Sequence, residues 1–219
     1  MPFLLSLALL AAPPVVADEI VVTAPCALTA RQLRPALKAY RDGRGRHAPG
    51  SRLFFEADPG ARRDGVSASS LRVRADGRTR PIPADAEGRF AMPDVRGGDW
   101  AIVGPCHDGA LAISPLVMSP GTDIADRRLG DMRLQCDVGW AIAREAVAAA
   151  AGAFTRVVGG CRSSTDAIHA GSVRPIADAD VSAGALTLPL RVSEGGYRYS
   201  VPLGDKRLPD TARVRFRYR

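Results

Sequence analysis

The sequence predicts a β-rich α+β fold, mainly an antiparallel β-sandwich, that also contains one long α-helix. Short segments with alternating apolar residues recur between residues 51 and 135 and again after residue 172, and Gly and Pro separate them. Parallel strands would need crossover helices, which the pattern of residues 51–135 does not contain. With 46% hydrophobic and 24% charged residues, the chain of 219 residues has the composition of a globular protein rather than a disordered one.

The N-terminus has the features of a secretory signal peptide, which we place at residues 1–17. Residues 3–12 form an uncharged apolar run, and small residues precede Asp18, where a signal peptidase would cut. Ten helical residues rise about 15 Å, half of a hydrocarbon core, so this run is too short to span a bilayer. We therefore expect a periplasmic or secreted protein of the bacterial cell envelope, with no transmembrane segment in the mature chain.

Residues 18–50 predict a strand, a short helix and a basic loop. Residues 19–23 are rich in β-branched side chains, which favours a strand. Thr29 and Gln32 have the spacing of a helix-capping box, although Pro35 would kink this helix or move its start to Arg34. Residues 41–50 combine Gly, Asp and Arg, which is typical of a loop.

Residues 51–136 predict the sandwich itself. The segments 99–104, 111–118 and 128–135 are interpreted as a meander. Turns are expected at 76–77 and 85–88. The predicted strands include 53–55, 71–74, 89–92, 100–103, 111–118 and 132–134.

Residues 137–219 predict a long helix and further strands, which pack on the sandwich or form a second small domain. The helix is placed at residues 138–158, with Asp137 as its N-cap and Gly159 at its C-terminal end. The strands are placed at 185–190, 197–201 and 212–218.

The four cysteines predict two disulfides, because all four follow the signal peptide and none has CxxC spacing. A helix over residues 138–158 would be about 31 Å long and would hold Cys136 away from Cys161. The meander would bring Cys106 close to Cys136. We therefore expect Cys106 to pair with Cys136 and Cys26 with Cys161.

The formal net charge of +7 comes almost entirely from arginine. Arg213, Arg215 and Arg217 alternate with apolar residues in the last strand, so they share one face. This face is either a candidate anion-binding stripe, suited to an anionic envelope polymer, or a solvated sheet face. We do not expect nucleic-acid binding, because no nucleic-acid-binding module is recognisable and the aromatic side chains of this strand would face the core.

No residue pattern predicts a catalytic centre, a metal site or a cofactor site. His47, His107 and His169 lie in predicted loops or beside a cysteine, and we expect them to be exposed rather than catalytic. Cys106 with His107 does not fit a nucleophile and base, since neighbouring strand residues point to opposite faces. Asp178 and Asp180 share a strand face, but two carboxylates supply too few ligands for calcium.

One segment resembles the carboxypeptidase-regulatory-like, or transthyretin-like, β-sandwich domains. The resemblance implies a turn followed by two strands whose apolar residues close the core, and such domains are mostly non-catalytic. It is carried by Asp85, Gly88, Arg89, Phe90, Met92, Val95, Gly97, Gly98, Trp100 and Ile102.

A shorter segment, residues 19–24, resembles the energy-coupling box at the mature N-terminus of TonB-dependent outer-membrane receptors. The plug and barrel of those receptors would not fit in the remaining chain. From the sequence we expect a non-catalytic accessory or binding module whose partner is an envelope protein or an anionic polymer. A hydrolase with an unrecognised site and an outer-membrane-binding protein are the alternatives.

Overall fold

The structure is a computed structural model that describes residues 26–93, 98–107, 109–146, 161 and 168–219. Within these ranges the chain is rich in β-strands, has three α-helices, and pairs its strands antiparallel, which confirms the predicted β-rich α+β class. The predicted signal peptide and the TonB-box-like segment lie outside the described residues. The strands are β1 (Cys26–Thr29), β2 (Arg52–Ala57), β3 (Arg72–Ala75), β4 (Arg78–Pro81), β5 (Arg89–Phe90), β6 (Trp100–Gly104), β7 (Cys106–His107), β8 (Ala110–Leu111), β9 (Ile113–Met118), β10 (Asp126–Arg128), β11 (Ile168–Gly171), β12 (Ile176–Ala183), β13 (Leu186–Pro189), β14 (Arg198–Val201) and β15 (Arg213–Tyr218). The helices are α1 (Ala30–His47), α2 (Pro59–Arg63) and α3 (Leu129–Ala146).

Two sheets, with strand orders β1-β6-β3-β4 and β5-β2-β9, share one apolar core. Alternation along each strand directs Phe55 and Phe90 from one sheet and Trp100 and Ile102 from the other into this core, where Leu33 of α1 joins them. The Phe55 and Phe90 ring centroids lie 6.0 Å apart. Phe90, Trp100 and Ile102 therefore lie in one core.

The C-terminal sheet, of order β10-β15-β12-β13, and the pair β11-β14 surround a second core. Val214 and Phe216 of β15 point inward, as the alternation of the last strand predicts, and Tyr199 of β14 packs 5.3 Å from Phe216 between ring centroids. Leu129 and Met132 of α3 complete this core. The first turns of α3 thus pack against the C-terminal strands.

The strand β3 and the turn at Asp76 and Gly77 are as predicted, and the structure adds the unpredicted strand β4, which pairs with β3 as a hairpin. Both turn residues have positive φ, 50° and 71°, as a two-residue type I′ turn requires. All four residues of β4 are exposed, and β4 is the outer strand of its sheet.

Helix α1 is much longer than predicted. The Thr29–Gln32 capping box is confirmed and starts the helix at Ala30, with Pro35 tolerated inside it. The predicted loop over residues 41–50 is wrong, because α1 continues to His47. Gly43 explains the difference: a Cβ atom there would lie 2.7 Å from the Leu134 side chain, so glycine admits the close approach of α3.

Helix α3 begins nine residues earlier than predicted, at Leu129 instead of residue 138. The predicted strand at 132–134 is therefore wrong, and Asp137 lies inside the helix rather than at its N-cap. The apolar residues of 132–134 fit a strand as well as a helix, because this helix buries two faces. Met132 lies in the C-terminal core and Leu134 packs against α1. The predicted helical residues 147–158 lie outside the described residues.

The predicted meander and disulfide pairing are also wrong. Segments 99–104 and 111–118 belong to different sheets, and the third segment of the meander is mostly helix. The disulfides join Cys26 to Cys106 and Cys136 to Cys161. Pairing β1 with β6 brings Cys26 next to the start of β7, while the earlier start of α3 places Cys136 within the helix, about 15 Å along the axis from Ala146. The remaining chain is long enough to return to it.

Asp210, in the loop between β14 and β15, binds both long helices. The His47 Nδ1 atom at the end of α1 lies 2.9 Å from its carboxylate, and Arg133 Nη1 of α3 donates to it at 2.6 Å. Burial raises the pKa of the Asp210 carboxyl, but the hydrogen bonds from Arg133 and His47 outweigh this effect and hold the pKa below its usual range. Arg133 also donates to the carbonyls of Leu203, Asp205 and Leu208.

Replacing Asp210 with Asn should lower the free energy of unfolding by about 2–3 kcal/mol at pH 7, because two ionic hydrogen bonds are lost. The pKa of Asp210 is lower in the folded than in the unfolded state. Its contribution to the free energy of unfolding is therefore present above the unfolded-state pKa and disappears as the pH falls through the folded-state pKa. Urea unfolding should thus show a difference between wild type and Asp210→Asn that shrinks below pH 4. Asp178→Asn, in an exposed ion pair, is the matched control and should have a much smaller effect. Equal effects of the two variants would contradict this role of Asp210.

The two disulfides should differ in their contribution to stability. Cys26–Cys106 spans 80 residues and Cys136–Cys161 spans 25, so the first restricts the unfolded chain more. Replacing both cysteines of a pair with Ser should cost about 4–5 kcal/mol for the first and about 3–4 kcal/mol for the second. Urea unfolding of the two double variants measures this order, and a larger loss for Cys136→Ser/Cys161→Ser would contradict it.

Candidate functional site

A polar cleft of about 530 Å³ lies between α2, the β7–β8 hairpin and the β11–β14 pair. The three elements are far apart in the sequence, so no linear motif marks the site. The cleft is lined by Asp58, Gly60, Arg63, His107, Ala110, Leu111, Ala112, Ile113, Gly171 and Arg198.

Asp58 anchors one wall of the cleft. It follows β2 and caps α2, because its carboxylate accepts a hydrogen bond of 2.8 Å from the Gly60 N–H. Its other oxygen accepts a hydrogen bond of 2.7 Å from the Ser114 hydroxyl. Both carboxylate oxygens of Asp58 are therefore engaged within the protein.

Arg63 and Arg198 bring positive charge to the cleft. Arg63, the last residue of α2, donates at 2.7 Å to the Ser172 carbonyl, and its guanidinium carbon lies 4.7 Å from the Tyr197 ring centroid. Both contacts fix its position without neutralising its charge. Among the described residues, neither Arg63 nor Arg198 forms an ion pair with a carboxylate.

His107 lines the same cleft. Its Nε2 atom lies 2.8 Å from the Asp64 carboxylate, and its side chain is only 26% exposed. His107 is thus partly exposed. The expectation of an exposed histidine is wrong for His47, which is buried beside Asp210. For His169 the structure describes only the backbone, which pairs with Ser200.

The groups around His107 limit its chemistry. Cys106 is held in a disulfide and offers no thiol. The Ser114 hydroxyl donates to Asp58, so its hydrogen bond runs to a carboxylate instead of a histidine. Within the described ranges, no cluster of three or more His, Cys, Asp or Glu side chains is placed to hold a metal ion.

The arginine stripe of β15 lies elsewhere, and its charges have partners. Arg213 and Arg215 contact the Asp126 carboxylate at 2.7 and 3.3 Å, and Arg217 contacts Asp178 at 2.5 Å. The hydrogen bond from Arg213, which outweighs burial, lowers the pKa of Asp126 below its ordinary value. The stripe is thus an ion-paired sheet surface, whose partners the alternation of β15 alone did not indicate.

An apolar groove of about 350 Å³ adjoins the cleft along β9 and β11. Consecutive residues divide between the two cavities: Ile113 and Gly171 line the cleft, while Ser114 and Ala170 line the groove. The face of α3 that carries Trp140 forms the opposite wall. The groove is lined by Ser114, Pro115, Met132, Gln135, Cys136, Gly139, Trp140, Ala143, Ala170, Val201 and Leu203.

The buried side chain of Arg127 contacts the backbone near the C-terminal end of β9. Arg127 Nη2 donates at 2.7 Å to both the Val117 carbonyl and the Gln135 side chain, and Gln135 accepts from the Val117 N–H at 3.3 Å. Burial lowers the pKa of Arg127 despite nearby acidic groups. The backbone of Val117 therefore has side chains, not a strand, as its partners on that side.

Comparisons with protein-family models, with curated proteins and with solved structures find no match for this chain. None of the helices in the described ranges is long and apolar enough to cross a bilayer. The geometry of the cleft and the groove is therefore the basis for assigning a function.

Proposed function

We propose that the protein is an exported, non-catalytic binding module of the bacterial cell envelope that binds an anionic ligand in the cleft. The observation that carries this proposal is the pair Arg63 and Arg198, two guanidinium groups that line one cleft without a carboxylate partner among the described residues. Guanidinium groups form strong, often bidentate hydrogen bonds with carboxylates and phosphates. The ligand site proposed for the module is thus the cleft rather than the ion-paired stripe of β15.

Export is supported by the signal-peptide pattern of residues 1–17 and by the two disulfides, which favour an oxidising compartment such as the periplasm or the exterior. The non-catalytic role is supported by the resemblance to carboxypeptidase-regulatory-like sandwich domains. The buried positions of Phe90, Trp100 and Ile102 agree with that resemblance. The partner proposed is an envelope component that carries a carboxylate or a phosphate.

Inorganic phosphate is the simplest probe of the cleft. In an NMR titration of the oxidised protein, we expect phosphate to shift the side-chain N–H signals of Arg63 and Arg198. Arg198→Gln should weaken phosphate binding about tenfold, because one ionic hydrogen bond is lost. Arg198 donates no side-chain hydrogen bond within the described structure, so the fold should remain intact.

Arg215→Gln is the matched control, since Arg215 lies on the ion-paired stripe. This substitution should leave phosphate binding unchanged. The proposal fails if Arg215→Gln weakens binding as much as Arg198→Gln, or if phosphate leaves the signals of Arg63 and Arg198 unshifted.

A hydrolase is the second candidate, favoured by the short contact between Asp64 and His107, which lines the cleft. A carboxylate in this position orients the imidazole of a general base. The wild-type protein would then hydrolyse p-nitrophenyl acetate faster than His107→Gln. In a binding module neither protein should show a rate that saturates with ester concentration, because only the slow reaction of the ester with exposed imidazole and amino groups would remain.

A further inference from the structure

The strand β9 has an open edge along the cleft and the groove. It is the last strand of the sheet β5-β2-β9, so among the described strands only one of its two edges is paired. In an antiparallel pair the backbone groups of successive residues point alternately toward the partner and away from it. The hydrogen-bond partners of Val117 and the position of Pro115 show which residues point away from β2.

Val117 points away from β2, because its N–H and carbonyl contact Gln135 and Arg127. Pro115, two residues earlier, has no N–H and is tolerated only where a strand needs no donor. By the same alternation the N–H and carbonyl of Ile113 point away from β2, on the side of the cleft that Ile113 lines. No described group outside the sheet hydrogen-bonds to the Ile113 backbone.

Strand β11 presents a second open edge to the same cleft. The Ser172 N–H donates to the Tyr197 carbonyl at 2.9 Å, so the backbone of Ser172 faces the side of β14. By alternation the backbone groups of Gly171 face away from β14. Gly171 lines the same cleft as Ile113. Two strand edges that have no strand partner in the described part of the chain therefore border one cavity.

We propose that the ligand is an extended acidic peptide segment of another envelope protein, which adds as a strand to the open edge of β9. This inference rests on the anion-binding function proposed above and names the chemical class of the ligand. The peptide backbone would pair with the N–H and carbonyl of Ile113 and with the carbonyl of Pro115. An acidic side chain would contact Arg63 and Arg198, and an apolar side chain further along would enter the groove against Trp140.

Three features of the site support a peptide over a simple anion. Strand addition needs unpaired backbone donors and acceptors, and the edges at Ile113 and Gly171 offer them as far as the described residues show. An acidic group needs a cation without a carboxylate partner, and within the described residues Arg198 is such a cation. An apolar side chain needs a groove next to the strand, and the one beside Trp140 begins at the residue after Ile113. A peptide with acidic and apolar residues at a fixed spacing meets all three.

The experiment is selection of a phage-displayed random dodecapeptide library on the full-length oxidised protein. We expect enriched peptides to carry an acidic and an apolar residue at a constant spacing. A synthetic, terminally blocked copy of an enriched peptide should change the fluorescence of Trp140, because Trp100 is buried in another core. Arg198→Gln should weaken its binding about tenfold, and Arg215→Gln should not.

Backbone methylation separates strand addition from other modes of binding. N-methylation of the peptide bonds that face β9 should abolish binding, while methylation of the alternate bonds should leave it unchanged. Ala143→Glu, at an exposed position that lines the groove, should weaken the peptide but not inorganic phosphate. Equal binding of both methylated series would overturn the inference.

The remaining outcomes distinguish the two proposals. If phosphate binds at Arg63 and Arg198 but no acidic peptide is enriched, the peptide inference is wrong and the anion-binding function stands. If dodecanoate displaces the enriched peptides and binds more tightly than they do, the occupant is a lipid and the inference is again wrong. If Arg198→Gln weakens the binding of neither phosphate nor the acidic peptide, both proposals fail.

Discussion

The connection between the two apolar cores depends on the carboxylate of Asp210. It is shared by His47 at the end of α1 and Arg133 in α3, and the Asp210 carbonyl accepts a hydrogen bond of 3.0 Å from the Gly130 N–H. A side chain at Gly130 would collide with the His47 carbonyl, so the helices and the loop meet without space between them. One acidic group thus fixes the first turns of α3 relative to both sheets.

The cleft and the groove follow from this arrangement. Because α3 begins at Leu129, its early turns face the C-terminal core, and its later turns carry Trp140 over β9 and β11. At Val117, Gln135 of this helix and Arg127 of β10 hydrogen-bond to the edge of β9 where another strand would otherwise pair. Within the described residues, this edge of β9 therefore has partners at Val117 and none at Ile113.

The sequence predicted those features that depend on neighbouring residues. The Thr29–Gln32 cap, the Asp76–Gly77 turn and the alternation of β15 are all determined within a few positions. The features it missed depend on contacts between distant segments. In the sequence, Gly43 suggests a loop, but in the structure it lies in α1, where it makes room for Leu134. Met132 fits a strand pattern in the sequence, but it lies in a helix that buries two faces. The cleft was not predicted because Arg63, His107 and Arg198 come together only in the folded chain.

The outer strand β4 contrasts with the inner edges. Its exposed sequence alternates Arg78 and Arg80 with Thr79 and ends in Pro81. Like charges and proline on a sheet border oppose hydrogen bonding between two copies of a protein. The edge of β4 is therefore protected against polymerisation into fibrils, and concentrated solutions of the protein should remain free of cross-β aggregates nucleated at this strand.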